Sequence, residues 1–259
     1  MYGVKAEHLL HKICCTRFAA QDLGYVWREG RVLGNDMIKI VSISDTHCRL
    51  RKIKVPEGDL LVHAGDLTFK GNHQEIHQEL SELGRIAKNF KYGCVFAAGN
   101  HDWLAERDPE LMKQMAIDEG LIYLDNYSVL IAGLNIFGSA YTPEFCSWAF
   151  NVPRGAALSK KWAQIPDNTN VLITHGPPMG ILDVVERFNA KISEYELEHV
   201  GCADLYGRVM ELKDLRLHVF GHLHFSGGQT LKVGNTTFAN ASICTEEYRP
   251  INTPVTFDL

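Results

Sequence analysis

The sequence predicts an α/β fold, and three observations carry that prediction. Short, continuous apolar runs recur along the chain, as expected of strands buried on both faces. Segments with apolar residues at helical spacing separate some of them. Five of the runs end in a loop tipped with oxygen or nitrogen donors: Asp45-Thr46-His47, Gly65-Asp66, Gly99-Asn100-His101-Asp102, Thr174-His175 and Gly221-His222-Leu223-His224. Donors gathered at successive strand ends point to a metal centre.

Taken in order, residues 1–36 match nothing that follows and are read as an N-terminal extension without an assigned role. A short helix is expected from His8 to Ala20, and neither a secretory h-region nor a cleavage site is present. The functional domain is expected to span residues 37–259. Its first strand is Ile38-Lys39-Ile40-Val41-Ser42-Ile43, and Leu60-Leu61-Val62-His63-Ala64 is the second. Asn72 can cap a helix with Glu75 in the third position. Ile76, Leu80, Leu83, Ala87 and Phe90 then share one face. Cys94-Val95-Phe96-Ala97-Ala98 is a strand leading into the central Gly-Asn-His-Asp motif.

Asp108-Pro109-Glu110 opens another helix with a cap, a proline and an early acid, and Gly120 closes it. Leu121–Leu124, Ser128–Ala132 and Asn135–Gly138 read as antiparallel strands beginning a second sheet. Ser159 is expected to cap a short helix through Trp162, and Val171–Thr174 is a core strand. Residues 176–199, opening with Gly-Pro-Pro, read as a long loop over the site, with His199 and Cys48 as candidate specificity positions. Leu205, Val209 and Leu212 share a helix face. Leu217–Phe220 is a strand, and Gln229–Val233 with Thr236–Ala239 forms a hairpin across Gly234-Asn235.

Composition narrows the class. The 259 residues are 46% hydrophobic and 22% charged, ordinary for a globular domain with a sizeable core. No stretch approaches the ~18 apolar residues of a membrane span. The formal charge of −5 lacks the basic footprint of a nucleic-acid binder. The seven Cys are odd in number and lack a C-x-x-C pair, so they are read as reduced, mostly buried thiols of a cytoplasmic protein. Cys48 is the expected exception to burial.

The candidate ligands Asp45, His47, Asp66, Asn100, His175, His222 and His224 are all oxygen and imidazole. They suit divalent Mn²⁺, Zn²⁺, Fe²⁺ or Mg²⁺, and the lack of thiolate argues against a structural zinc site. Seven ligands exceed the needs of one ion with an open position. Two ions sharing a carboxylate fit better, and such pairs serve in-line displacement at phosphorus. In an extended segment alternate residues face one side, so His222 and His224 can reach one site.

The series Asp45-x-His47, Gly65-Asp66, Gly99-Asn100-His101-Asp102, His175 and Gly221-His222-x-His224 resembles the signature of the calcineurin-like metallophosphoesterases. Thr174–Pro178, Gly201-Cys202 and the stretch from Asn240 to Pro254 resemble more narrowly the metallophosphoesterase-domain-containing subgroup, close to the class III cyclic nucleotide phosphodiesterases. The resemblance implies a four-layer α/β/β/α sandwich with two divalent metal ions. It places Asp45, His47 and His224 on one ion, Asn100, His175 and His222 on the other, and Asp66 between them. His101 is then expected to contact the scissile phosphate or protonate the leaving oxygen, oriented by Asp102. The implied reaction is in-line attack of a metal-bridging hydroxide on a small phosphate ester.

Small phosphodiesters, cyclic nucleotides among them, are the expected substrates by subgroup analogy, with small phosphomonoesters as the alternative. The arginines of the protein phosphatases are missing: Gly65-Asp66 continues Leu67-Thr68-Phe69-Lys70, and Asp102 is followed by Trp103-Leu104. A DNA-repair nuclease is weighed against by the acidic balance, and a non-catalytic scaffold by the intact ligand set. The sequence leaves homo-oligomerisation open and implies no membrane partner.

Overall fold

The computed structural model describes residues 37–189 and 193–259. The expected extension over 1–36, with its helix from His8 to Ala20, lies outside the described residues. Strands β1 (Lys39–Ile43), β2 (Leu60–Ala64), β3 (Cys94–Ala97) and β4 (Ile122–Tyr123) run parallel in the first sheet. Every residue of β2 and β3 is buried, which is why they read as apolar runs interrupted only by His63.

Helix α1 (His73–Ala87) covers this sheet. Asn72 accepts from the Glu75 amide at 3.0 Å. The Glu75 carboxylate accepts from the Phe69 and Lys70 amides at 3.1 and 2.6 Å, so the expected capping box reaches back beyond the cap. A short helix α2 (Trp103–Arg107) follows the central motif directly. Helix α3 (Pro109–Asp118) starts as expected, with the Asp108 side chain accepting from Leu111 N.

The second sheet begins with the antiparallel pair β5 (Tyr127–Ile131) and β6 (Leu134–Ser139). A short parallel pair, β7 (Thr142–Pro143) and β8 (Asn151–Val152), precedes α4 (Ala156–Trp162) and β9 (Val171–Thr174). After the antiparallel hairpin β10 (Val184–Asn189) and β11 (Glu194–His199) come α5 (Ala203–Glu211), β12 (Leu217–Phe220), the hairpin β13 (Thr230–Val233) and β14 (Thr236–Asn240), and finally β15 (Val255–Asp258). Strand order is β15-β1-β2-β3-β4 in one sheet and β13-β14-β12-β9-β6-β5 in the other.

Alternation along the strands assigns the layers. Val41, Leu61 and Phe96 face α1 and α3, together with Ile76, Leu80 and Met112. Their neighbours Ile40, Val62 and Val95 point the other way and meet Ile136, Ile173 and Val219 between the sheets. Leu172, Phe220 and Phe238 pack on the far side against Leu158, Trp162, Leu205 and Val209 of α4 and α5. The result is the four-layer α/β/β/α sandwich, with the ligand loops at the carboxyl ends of the parallel strands.

Four expectations are corrected. Leu121–Leu124 supplies β4, which joins the first sheet in parallel, because Tyr123 pairs with Phe96. Ser159 lies inside α4 and bonds Asp204 at 2.7 Å, while Gly155 occupies the cap. Residues 176–199 contain the β10–β11 hairpin, whose Tyr195 and Leu197 alternate with glutamates but stay exposed. Among the described cysteines all are free; Cys94, Cys202 and Cys244 are buried and Cys48 is half-buried, but Cys146 is the exposed one.

Glu79 of α1 is buried, and its Oε2 meets no donor among the described residues. Burial raises its carboxyl to about 7, partly opposed by a hydrogen bond from the Leu50 backbone. An acid raised in the folded state binds more protons there than in the unfolded chain. Its effect is therefore a loss of stability as pH climbs from the unfolded value through the folded one. Glu79→Gln is expected to raise Tm at pH 8 and to change it little at pH 5, as thermal scans at both values check.

Candidate metal centre

Three short turns bring the donors together. Asp45, His47, Asp66 and His222 all have positive φ, at 51°, 40°, 54° and 67°. Such left-handed residues cost energy and cluster at functional sites. Here they let the loops close on one another. The His222 amide donates to both oxygens of Asp45 at 3.0 Å, and the His101 amide donates to Asp66 Oδ1 at 2.8 Å. A Cβ at Gly99 would collide with the Asp66 amide, and one at Gly221 with the Asp45 carboxylate, so both approaches require glycine.

The imidazoles share one orientation. Nδ1 donates to a backbone carbonyl in each of His47 (Thr68, 3.1 Å), His101 (Phe69, 2.7 Å), His175 (Ala64, 2.9 Å) and His224 (Thr245, 2.9 Å). The Nε2 atoms then turn inward, the arrangement that primes histidine for a metal. His47 Nε2 and His224 Nε2 stand 3.2 Å apart.

The carboxylates complete the gathering. Asp45 Oδ1 is 3.2 Å from His224 Nε2 and 4.0 Å from His47 Nε2. Asp66 reaches three imidazoles: Oδ1 lies 3.3 Å from His175 Nε2, and Oδ2 lies 3.8 Å from His47 and 3.9 Å from His101. Asn100 Oδ1 is 2.8 Å from His175 Nε2, and the His222 ring lies 5.0 Å from that of His175. All seven expected ligand side chains thus reach one region. Asp45-His47-His224, His47-Asp66-His101 and Asp45-Asp66-His175 each have a spacing that could hold an ion.

Electrostatics agree with a cation-seeking site. Burial drives His47 and His222 down to about 4. His175 is pulled down by burial too, but Asp66 outweighs this and lifts it to about 9. Asp66 is raised by burial and more than offset by His175, so it stays well below the usual carboxylate range. Asp45 raises His224 in the same way, so inward ring nitrogens and buried carboxylates converge here, and a divalent cation that displaces the inner protons satisfies both.

Asp102 corrects an expectation. Its carboxylate does not face His101; it accepts from the amides of Leu67, Thr68 and Gly99 at 3.2, 3.0 and 2.9 Å and from Thr68 Oγ1 at 2.7 Å. It pins the Asp66 loop to the Asn100 loop, while the Phe69 carbonyl orients His101. His199 is also placed differently. Its Nδ1 donates to Asp183 Oδ1 at 2.6 Å, anchoring the exposed hairpin. Cys48 has its thiol pushed up to about 12 by burial and remains a thiol beside His47.

Sequence reasoning missed several residues. Ser242 Oγ donates to Asp45 Oδ2 at 2.8 Å. His63 meets Thr46 Oγ1 at 3.0 Å beneath the first ligand loop. Tyr248 sets its ring 4.8 Å from both His47 and Phe69, and Trp148 stacks on His101. The His63-Ala64-Gly65-Asp66 spacing could have drawn attention to His63; nothing local marks Trp148.

Comparison with known proteins shows the family. The Calcineurin-like phosphoesterase family matches residues 38–226. Metallophosphoesterase domain-containing protein 1 of Homo sapiens is 37% identical over 242 residues, covering 85% of this chain and 71% of that protein. A UPF0046 protein of Caenorhabditis elegans is 35% identical over 236 residues, covering 86% and 76%. Among solved structures, the NAD nucleotidase of Haemophilus influenzae aligns with a TM-score of 0.41 at 11% identity, covering 86% of this chain and 49% of that one. Among the described residues no helix is long and apolar enough to cross a membrane. A family match over most of the chain, on the loops where histidines and carboxylates converge, makes this protein a calcineurin-like phosphoesterase of the metallophosphoesterase-domain-containing group and a metal-dependent phosphoester hydrolase.

Proposed function

We propose that the protein hydrolyses small phosphodiesters, cyclic nucleotides among them, with two divalent ions. Asp45, His47 and His224 would hold one, Asn100, His175 and His222 the other, with Asp66 between them. The observation that carries this reading is the pair of facing Nε2 atoms of His47 and His224, flanked by the buried carboxylates of Asp45 and Asp66. When bound, the ions supply Lewis acidity and a nucleophile at neutral pH.

The chain's own residues do the rest. His101 presents Nε2 to the centre because its Nδ1–H is held by Phe69. Protonated, that nitrogen can donate to a phosphoryl oxygen or to the leaving oxygen. Asp102 keeps the two loops in register, and Ser242 holds one Asp45 oxygen. A diester is favoured by the rim. Among the described residues, Phe69 and Tyr248 each stand in ring contact with both His47 and His101. An aromatic rim suits a monoanionic ester with two organic arms better than a dianionic monoester, which calls for cationic grips.

Chelator-stripped protein assayed with and without Mn²⁺ on paired p-nitrophenyl mono- and diesters tests this. We expect Mn²⁺-dependent turnover with kcat/KM at least about tenfold higher on the diester, a difference of about 1.4 kcal/mol in the barrier. Monoester preference would move the assignment to a small-molecule phosphatase. Bound metal with no turnover on a broad ester panel would favour a scaffold.

A further inference from the structure

We propose that Trp148 is a positioning residue for His101, holding the imidazole in the orientation its work on the phosphate requires. The inference rests on the reading of His101 given above. The two rings stack with centroids 4.3 Å apart and planes inclined by 27°. The bond from His101 Nδ1 to Phe69 O sets which way the imidazole points but does little to hold the tilt of its plane. His47 meets the ring edge-on at 4.8 Å and 79°, which limits the swing on one side. Phe69 and Tyr248 approach it at 5.8 and 6.5 Å without stacking, and among the described residues the indole is the ring stacked on its face.

The backbone around Trp148 is bent to achieve this contact. Cys146, Ser147 and Phe150 all have positive φ, at 50°, 54° and 58°. Non-glycine residues in that region persist only where their surroundings over-determine them. Here the surroundings are the His101 loop itself: the Ala149 amide donates to Asn100 O at 3.3 Å, and the Phe150 amide donates to Glu106 Oε1 at 2.7 Å. Trp148 is half-buried and belongs to none of the three apolar cores of the described residues. A large aromatic on a strained segment, outside the cores and stacked on one imidazole, serves that imidazole.

A double-mutant cycle tests the assignment, comparing wild type, Trp148→Ala, His101→Ala and the double variant as Mn²⁺-loaded proteins on a small phosphodiester with an alkoxide leaving group, which draws on His101 in either of its roles. Misplacing a reacting group by about an ångström costs up to about 100-fold. Trp148→Ala is expected to lower kcat by about 10- to 100-fold while KM stays within about twofold. The Mn²⁺-to-protein ratio after equilibrium dialysis should be unchanged. Trp148→Phe should recover most of kcat, and Trp148→Ala should cost nothing further once His101 is alanine. An equal loss on both backgrounds, a rise in KM in place of the fall in kcat, or loss of bound Mn²⁺ would overturn the proposal. Wild-type turnover by His101→Ala would instead overturn the underlying reading of His101. Loss with His101→Ala but none with Trp148→Ala would sink the Trp148 assignment alone.

Discussion

Asp66→Ala is expected to lose bound metal and to lower turnover by on the order of 10³-fold, the loss of several kcal/mol of transition-state stabilisation. The reason is geometric. Among the described residues, Asp66 is the one carboxylate within 4 Å of His47, His101 and His175 together. Without it three buried imidazoles keep their inward Nε2 atoms but lose the central negative charge. His175 also loses the interaction that raises it to about 9 against burial. Alanine would be strained at the Asp66 φ of 54°, so a folding defect must be separated from a metal defect. Asp66→Asn does this. Asparagine tolerates the left-handed conformation and can still accept from the His101 amide, but it carries no charge. Equilibrium dialysis against Mn²⁺ with elemental analysis should show fewer ions per chain in both variants. Full metal occupancy in a folded Asp66→Asn protein would remove Asp66 from its central place.

The strands that build the site were legible because burial on both faces leaves an unmistakable mark. Leu60–Ala64, Val171–Thr174 and Leu217–Phe220 show mostly apolar runs whose donors follow within a few residues. Asp45-x-His47 and His222-x-His224 were legible for the same reason, since each depends on local chain geometry. β15 left no such trace. Val255–Asp258 is a short edge strand with alternating partial exposure, and it is defined by its antiparallel pairing with β1. The β10–β11 hairpin reads as a loop in the sequence because its apolar positions, Phe188, Tyr195 and Leu197, are exposed and bury no face. The true partner of Asp102 was hidden for another reason. Adjacency to His101 in the chain suggested an orienting role, but the Asp102 side chain points back to Leu67 and Thr68. Trp148 and Tyr248 meet the site only through tertiary packing, and no spacing in one sequence reports that.

His101→Ala is expected to keep its metal and lose most turnover, by about 10²- to 10⁴-fold, the range of a positioned general acid. The two variants divide the centre into a part that holds ions and a part that acts on the ester. Asp66 lies among the imidazoles. His101 stands at their edge, its Nε2 3.9 Å from Asp66 Oδ2 and its ring covered by Trp148. Its Nδ1 is committed to Phe69, so Nε2 is the one ring nitrogen left to face an ester. Removing the ring leaves every proposed ligand in place, and the Asp66 Oδ1 contact survives because it comes from the residue-101 amide. Loss should therefore appear in kcat, with bound Mn²⁺ unchanged and KM moving little if the contact forms chiefly in the transition state. A leaving-group series gives a sharper check. If His101 protonates the departing oxygen, the defect should be small for p-nitrophenolate, which leaves unaided, and large for an alkoxide. If it chiefly stabilises charge on the phosphoryl oxygens, the defect should be similar for both. Wild-type turnover on all esters would remove His101 from the reaction and leave its place beside Asp66 as packing alone.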